Sequence, residues 1–309
     1  MPCRNASGTL GLYDLTNNRF YENAGSGDFE GPYYGPLKNS CLIDGATYQI
    51  KNGKVLIGGT QYQIVGGKTL LGGTAFTIPF AEGIPIGTLP VGSVVKIGVN
   101  GKSYDFLVVN QGVPSNSSLY DSSCDGTWLL MKDLYENRAW QSSNVNDYAN
   151  SAIHSYLNST FLALFDSNIQ NAIKQVKIPY RKNGGSSGVD QSGANGLSAK
   201  IFLLSGYEVG WTTSDSIYFP VDGAKLSYFE SGGGTSANNK RIAKLNGSAA
   251  SWWLRSPRTN DTYDVWFVYS DGGNDYNLAA YAYRIRPAFT LPETLELVQN
   301  PDGTYSPAT

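Results

Sequence analysis

The sequence predicts an α+β protein in which a larger mixed domain follows a small β-rich repeat region. Three observations predict this class. A repeat with strand periodicity occupies residues 42–78, a hairpin signal follows at residues 93–109, and apolar residues at helical spacing follow at residues 153–165. The expected segments are a remnant of an upstream β-sandwich or linker at 1–35, a repeat stalk at 36–88, the α+β domain at 89–298 and a flexible tail at 299–309.

The repeat region is predicted to consist of short strands joined by tight turns. Tyr48, Tyr62 and Phe76 recur every 14 residues, and an isoleucine two residues after each lies on the same strand face. Asn52-Gly53 and Gly66-Gly67 fit two-residue hairpin turns. One unit is too small to bury a core. The repeat therefore forms either a stalk or solenoid, closed by stacked units or by three chains side by side, or a plain β-meander packed on its neighbour.

Charge and residue usage exclude several function classes. The chain has 23 Lys and Arg against 25 Asp and Glu, so it lacks the cationic field that binds nucleic acid or an anionic membrane. Its single histidine, His154, excludes multi-histidine metal centres, and its cysteines form no Cys-x-x-Cys pair. No apolar run reaches the length of a membrane helix. We therefore expect no cofactor, no bound metal, no nucleic-acid partner and no membrane insertion.

The larger domain begins with a predicted hairpin and two helices. Residues 93–109 alternate in strand fashion around Asn100-Gly101, a strong two-residue turn signal. Asp147 or Asn150 is the predicted cap of the first helix. Its buried stripe comprises Ile153, Tyr156, Leu157, Phe161, Leu164 and Phe165. The second helix is short and follows Asp166, with Ile169, Ile173 and Val176 as its buried stripe.

The most informative part of the chain is the tyrosine segment, which we define as residues 259–283. It holds five tyrosines, four aspartates and three asparagines, but no Lys, Arg, Glu, Gln, His or Met. Tyrosine supplies a wide contact area at low entropic cost, while Asn, Asp, Ser and Gly supply adaptable hydrogen bonds, as in antibody loops. This composition predicts a binding surface, although Tyr and Asn are also common on ordinary β-loops.

One strand is predicted inside the tyrosine segment. Residues 265–269, Val-Trp-Phe-Val-Tyr, alternate in strand fashion. If Trp266 and Val268 face the core, Phe267 and Tyr269 face outward. Exposed aromatic side chains of this kind are expected on a contact face rather than on a solvated sheet.

The motifs around the tyrosine segment resemble a known family. Trp-Trp-Leu-Arg-Ser-Pro at 252–257, Val-Trp-x-Val-x-x-Asp-Gly at 265–272 and Arg-Ile-Arg-Pro-Ala-Phe at 284–289 resemble C-type-lectin-fold variable domains diversified by retroelements, the kind of protein that includes the phage major tropism determinant. The resemblance covers roughly residues 89–295. It implies a C-type lectin-like fold, shared with formylglycine-generating enzymes.

In that family, adenine-directed mutagenesis rewrites Asn-type codons, which never yield Lys, Glu, Gln, Met or Trp. The tyrosine segment obeys this restriction except at Trp266, which fits a fixed framework position. The resemblance implies that the variable, ligand-binding residues are Asn260, Asp261, Tyr263, Asp264, Phe267, Tyr269, Ser270, Asn274, Asp275, Tyr276, Asn277, Tyr281 and Tyr283. The implied framework residues are Trp252, Trp253, Arg255, Trp266 and Arg286.

The resemblance also implies a function. The chain is expected to be a receptor-binding adhesin without catalytic activity, located on a virion tail fibre or a bacterial cell surface. Its expected partner is a host cell-surface protein or glycan, and it is expected to form a homotrimer through its N-terminal region. Formylglycine chemistry needs reactive cysteines, but Cys3 and Cys41 lie outside the resembling region and Cys124 has no partner within it.

Three alternatives remain open at the level of sequence. The chain is either the adhesin described above, an invariant structural module of a tail, or a cell-wall glycan hydrolase with two carboxylates around a cleft. A calcium site is a further alternative, because hard cations bind carboxylate oxygens. Its candidate ligands are Asp261, Asp264, Asp271 and Asp275, whose spacing matches no known calcium loop.

Overall fold

The computed structural model describes residues 83–308 except 116 and 234–238, together with the backbone of nine strands within residues 1–82. The chain divides into two compact units, Met1–Glu82 and Gly83–Ala308. The strands of the first unit are β1 (Pro2–Arg4), β2 (Leu10–Asp14), β3 (Arg19–Glu22), β4 (Ser40–Ile43), β5 (Ala46–Lys51), β6 (Lys54–Ile57), β7 (Thr60–Gln63), β8 (Gly67–Leu71) and β9 (Thr74–Ile78).

Each copy of the repeat in the first unit forms one antiparallel hairpin. Strands β4 and β5, β6 and β7, and β8 and β9 pair, and the innermost pairs are Ile43 with Ala46, Ile57 with Thr60 and Leu71 with Thr74. Strand β5 also pairs with β6, as the turn predicted at Asn52-Gly53 requires. Residues 52, 53 and 66 themselves lie outside the described residues. Strands β1, β2 and β3 form a separate antiparallel sheet.

The second unit is mostly β-sheet with few, short helices. Its strands are β10 (Ile84–Pro85), β11 (Val94–Val99), β12 (Lys102–Gln111), β13 (Thr127–Met131), β14 (Asn137–Ala139), β15 (Val176–Ile178), β16 (Tyr180–Lys182), β17 (Val189–Gln191), β18 (Leu197–Ala199), β19 (Ile201–Phe202), β20 (Lys244–Leu245), β21 (Ser248–Ala249), β22 (Trp252–Pro257), β23 (Asp264–Val268), β24 (Asn274–Leu278), β25 (Ala282–Arg284), β26 (Ala288–Leu291), β27 (Glu296–Gln299) and β28 (Tyr305–Pro307). Its α-helices are α1 (Ala152–Tyr156) and α2 (Ser167–Ala172). Short 3₁₀ turns occupy Ile86–Thr88, Ser117–Leu119, Ser122–Cys124, Tyr148–Asn150 and Leu162–Leu164, and a π turn occupies Leu157–Phe161.

An eight-stranded sheet forms the centre of the second unit, in the order β10-β27-β28-β11-β12-β13-β26-β19. The predicted hairpin is confirmed in β11 and β12. Asn100 and Gly101 adopt φ values of 50° and 68°, as a two-residue hairpin turn requires. The tail predicted to be flexible instead contributes a strand, because β28 pairs with β27 and, at Tyr305, with Val95 of β11.

The two helices lie where the sequence predicts them, but the cap of the first helix and the end of the second differ from the prediction. The first helix is capped by Ser151, whose hydroxyl accepts the His154 N–H at 3.2 Å, and not by Asp147 or Asn150. The helical run continues through the π turn and a 3₁₀ turn to Leu164. Helix α2 follows Asp166 as predicted. It ends at Ala172, so Val176 belongs to the buried strand β15 and not to the helix.

A second sheet, in the order β14-β25-β22-β23-β24, carries the tyrosine segment. Strand β22 runs antiparallel to β23 and parallel to β25. All residues of β22 and β23 are buried, so this sheet is covered on both faces in its centre. The exposed positions of the sheet lie in the outer strands β14 and β24, in β25 and in the loops between the strands.

Candidate functional site

The tyrosine segment forms three strands and the loops that connect them. In the ladder between β23 and β24, Trp266 pairs with Tyr276 and Phe267 pairs with Asp275. Directly paired residues point to the same side of a sheet. Trp266 and Tyr276 therefore share one face of the sheet, and Phe267 and Asp275 share the opposite face.

The predicted ligand-binding residues differ in their exposure to solvent. The exposed ones are Asn260, Tyr263, Tyr269, Asp275, Tyr276 and Tyr281. The half-buried ones are Ser270, Asn277 and Tyr283. The buried ones are Asp261, Asp264, Phe267 and Asn274.

Exposed tyrosine rings are concentrated in this segment. Tyr263, Tyr269, Tyr276 and Tyr281 are 45%, 48%, 39% and 55% exposed. Every other tyrosine of the described residues is buried or half-buried. Exposing an apolar aromatic ring to water is unfavourable, so four exposed tyrosine rings in one short segment are unusual for a surface that contacts only solvent.

The expectation that Phe267 faces solvent is wrong, because its side chain is only 1% exposed. Its ring stacks on Tyr283 at 4.4 Å and packs edge-on against Trp253 at 5.9 Å. On the opposite face Trp266 stacks on Phe219 at 4.1 Å. Alternation along β23 does not separate a core face from a solvent face, because aromatic rings cover both sides of the strand.

Asp261 and Asp264 are structural residues rather than contact residues. The Asp261 carboxylate accepts the backbone N–H groups of Tyr263 and Asp264 at 3.0 and 2.7 Å and so shapes the loop before β23. Arg258 forms ion pairs with both carboxylates, at 3.2 Å to Asp261 and 3.7 Å to Asp264. Burial, together with the neighbouring Asp261 charge, raises the pKa of Asp264.

Asn274 is also buried, at the first position of β24, where it pairs with Val268. Its side-chain amide nitrogen has no hydrogen-bond partner among the described residues. The position is enclosed by the sheet, so its side chain is not available to a ligand.

Arg258 supports the exposed ring of Tyr276. Its guanidinium lies 3.9 Å from the centre of the Tyr276 ring and 4.7 Å from that of Tyr218, so that the cation is held between two tyrosines. We call Arg258, Tyr218, Tyr276 and the two carboxylates of Asp261 and Asp264 the cation sandwich. Neither Arg258 nor Tyr218 was predicted from the sequence: Arg258 could have been found because it directly precedes the tyrosine segment, whereas no local pattern points to Tyr218.

A second group of side chains surrounds Phe267 on the other face of the sheet. The Asn277 amide donates a hydrogen bond to the Tyr283 hydroxyl at 3.0 Å. The Tyr269 ring lies 6.3 Å from the Phe267 ring, and Asp275 lies directly across the ladder from Phe267. We call these five residues the Phe267 cluster: its floor is buried, and its rim is exposed or half-buried.

The five residues predicted as framework all lie in the protein interior. The Trp252 indole donates to the Arg241 carbonyl at 3.0 Å, and the Arg286 guanidinium lies 5.0 Å above the Trp252 ring. Arg286 also donates to the Met131 carbonyl at 2.9 Å, and burial lowers its pKa to about 10. These bonds connect the second sheet to the eight-stranded sheet.

Arg255 is the centre of a fully buried charge network that we call the ionic core cluster. Its guanidinium binds both carboxylate oxygens of Glu208, at 2.6 and 2.7 Å. It also donates to the backbone carbonyls of Pro179, Leu203 and Asp222 at 3.0, 2.9 and 2.7 Å. Two-point pairing of this kind fixes geometry as well as charge. The cluster therefore attaches β22 to three segments that are distant in sequence.

Asp222 is the unusual member of the ionic core cluster. One carboxylate oxygen accepts the Ser256 hydroxyl at 2.7 Å, and the other has no hydrogen-bond partner among the described residues. Because Glu208 already neutralises Arg255, an ionised Asp222 would add a second buried negative charge. Burial raises the pKa of Asp222 to about 7.

This pKa leads to a pH-dependent stability that an Asp222→Asn variant should lack. The pKa of Asp222 in the folded state is above its value of 3.8 in the unfolded chain, so stability is lost as the pH rises towards 7. Asparagine does not titrate. We therefore expect the free energy of unfolding of the variant, taken relative to that of the parent, to be higher at pH 8 than at pH 5 by on the order of 2 kcal/mol. Thermal unfolding at both pH values measures this. An equal offset at the two pH values would contradict it, and the exposed Asp125→Asn serves as the control.

The chemistry of metals and thiols does not point to a reactive site in the described residues. They contain no group of three or more His, Cys, Asp and Glu side chains that could hold a metal ion. The calcium alternative loses two of its four candidate ligands, because Arg258 neutralises Asp261 and Asp264. The Cys124 thiol is buried, donates to the Lys177 carbonyl at 3.2 Å, and has its pKa raised by burial to about 12.

Comparison with known proteins identifies a family. A family model described as "Domain of unknown function (DUF6273)" matches residues 125–293, which is more than half of the chain. The matched range includes the ionic core cluster and the whole tyrosine segment. Neither the curated proteins nor the solved structures contain a match. Across the described residues, helices are too short or too polar to cross a membrane.

Proposed function

Because the chain belongs to the DUF6273 family, whose description assigns no function, we propose its function from its own surface: it is a ligand-binding protein that contacts a receptor through the tyrosine segment. The observation that carries this proposal is the exposure of Tyr263, Tyr269, Tyr276 and Tyr281, while the other described tyrosines are at least half-buried. Tyrosine is among the residues that contribute most binding energy at protein interfaces.

The aromatic packing against Tyr269 and Tyr276 favours a role in binding over a purely structural role. Trp266 packs beside Tyr276 at 5.3 Å, and Phe267 packs beside Tyr269 at 6.3 Å. A ring held on a packed base loses little further freedom when it binds a partner. The rings of Tyr269 and Tyr276 are therefore held in place before they meet a ligand.

In its specific form, the proposal is that the chain is an adhesin diversified by a retroelement. The number of residues proposed to vary and to contact the ligand is smaller than the sequence alone implied. Substitutions at exposed positions usually change stability by about 0.5 kcal/mol or less, whereas buried positions tolerate far less. Diversification is therefore confined to Asn260, Tyr263, Tyr269, Ser270, Asp275, Tyr276, Asn277, Tyr281 and Tyr283. The C-type lectin-like relationship is part of this proposal.

In this proposal the chain acts on a virion tail fibre or a bacterial cell surface. It binds a host cell-surface protein or glycan as a homotrimer joined through its N-terminal region. Joining several sites raises apparent affinity by about 10²–10⁴ without any new contact, so weak contacts at a single site are sufficient.

The proposal is tested with a variant in which Tyr263, Tyr269, Tyr276 and Tyr281 are all replaced by alanine. We expect this variant to lose at least about 10-fold in binding to host surface extracts, because each exposed ring supplies contact area. A matched control replaces Val91, Val189 and Val298 by alanine, since these are exposed apolar residues outside the segment. Equal binding by the parent, the tyrosine variant and the control would favour an invariant structural module.

A further inference from the structure

The cation sandwich shows how this protein binds a cation with its own residues. The Arg258 guanidinium is stacked between the rings of Tyr218 and Tyr276 and is paired with the carboxylates of Asp261 and Asp264. Tyrosine faces attract cations because the ring quadrupole is negative above and below its plane. Nearby carboxylates add direct charge pairing.

The Phe267 cluster presents the same residue types on the opposite face of the sheet. Tyr269 and Tyr283 flank Phe267, with ring centres 6.3 and 4.4 Å away, and Asp275 lies across from it in the ladder. Tyr269 and Asp275 are exposed, and Tyr283 is half-buried. Tyr269 and the Asp275 carboxylate are therefore accessible to a partner, whereas Tyr283 is only partly accessible because one ring face stacks on Phe267.

The charges around the Phe267 cluster are negative. Residues 259–283 contain no Lys or Arg, and two of their four aspartates, Asp261 and Asp264, are paired with Arg258. Within the described residues, neither Asp271 nor Asp275 forms a salt bridge. On the neighbouring strand Arg138, which pairs with Tyr283, is bound by Glu136 at 2.8 Å and stacks on the Tyr156 ring at 3.4 Å. The cluster therefore favours a cationic ligand and disfavours anionic sugars or phosphates.

We propose that the Phe267 cluster binds a polypeptide by receiving one of its arginine or lysine side chains between Tyr269, Tyr283 and Asp275. The inference rests on the proposed function and specifies the chemistry of its partner. The Asn277 amide, which holds the Tyr283 hydroxyl, positions that ring beside the bound cation. Asp271 is exposed in the turn between β23 and β24, two residues after Tyr269, and adds a second negative charge at this end of the sheet.

The test measures binding of the full chain to two labelled peptides by fluorescence anisotropy. One peptide alternates glycine and arginine, and the other replaces each arginine by citrulline, which has a similar shape but no charge. We expect the arginine peptide to bind roughly 5- to 10-fold more tightly, by an amount that decreases with added salt. We expect Asp275→Asn and Tyr269→Ala each to weaken arginine-peptide binding by about threefold or more.

A control variant separates this site from general attraction to an acidic protein. Asp125→Asn combined with Glu293→Gln removes two exposed acids that lie together beside Gly112, outside the tyrosine segment. We expect this variant to bind the arginine peptide like the parent. Equal binding of the two peptides, or an equal loss in the control variant, would overturn the inference.

A failure of the inference about a cationic partner can be distinguished from a failure of the proposed function. If the four-tyrosine variant loses binding to host extracts while the parent does not discriminate between the peptides, the proposed function stands and the cationic partner is excluded. If host-extract binding is also unchanged in that variant, both are overturned.

Discussion

Replacement of Glu208 by glutamine is expected to lower the free energy of unfolding of the larger unit by about 3–5 kcal/mol. Glu208 and Arg255 are both fully buried, and the two hydrogen bonds between them measure 2.6 and 2.7 Å. Glutamine keeps the size of the side chain but leaves the Arg255 charge buried without its counter-ion. It also disturbs the bonds that Glu208 accepts from the Tyr120 hydroxyl and the Ser205 N–H, both at 3.0 Å.

Urea unfolding followed by tryptophan fluorescence measures the stability of the larger unit, which contains Glu208. All six tryptophans of the chain lie between residues 128 and 266, so the signal reports only the larger unit. The matched control is Glu136→Gln, which breaks the half-exposed pair with Arg138 and should cost less than about 1 kcal/mol. Equal losses in the two variants would mean that the buried pair contributes no more than a surface pair.

The second large effect is expected from Phe267→Ala, with a loss of about 3–5 kcal/mol. The ring is 1% exposed and fills the space between Trp253 and Tyr283, so its removal leaves a cavity that the sheet cannot close. The neighbouring Tyr269→Ala removes a ring of similar size that is 48% exposed. We expect that change to cost about 0.5 kcal/mol or less.

The comparison of these two variants tests whether Phe267 is a buried residue rather than a contact residue. If Phe267 were a contact residue, both variants would remain stable and both would weaken ligand binding. If it is the buried floor of the cluster, only Phe267→Ala destabilises the fold, and only Tyr269→Ala reduces binding without a loss of stability. The same unfolding assay, combined with the peptide titration, distinguishes these outcomes.

Features that depend on local chemistry could be predicted from the sequence. Asn-Gly is one of the few pairs that adopt positive φ at two successive positions, so the turn at Asn100-Gly101 identified its hairpin. The position of α2 also followed from local spacing. The first helix cap was misplaced because Ser151, Asn150 and Asp147 are all good caps, and only the backbone path selects Ser151.

Features that depend on distant contacts could not be predicted. Phe267 was expected to be exposed because alternation along one strand says nothing about Trp253 and Tyr283, which cover it from neighbouring strands. Arg255 was predicted only as a framework residue, and its side chain binds both backbone carbonyls and a carboxylate. However, no local pattern identifies Glu208 or Asp222 as its partners. These contacts join residues that are far apart in the chain.

The closed centre of the second sheet has a consequence for protein engineering. Because β22 and β23 are buried along their whole length, randomised libraries built on this scaffold should leave both strands untouched. Substitutions belong instead at exposed positions of the connections, such as Asn260, Tyr263, Tyr269 and Tyr281, and at the exposed positions of β24 and β25. Arg258 and Asp261 should be kept, because they shape the loop before β23. Because β23 and β24 are antiparallel, Asn260, Tyr263 and Tyr281 lie at one end of this strand pair and Tyr269 lies at the other, so such libraries would vary both ends of one sheet.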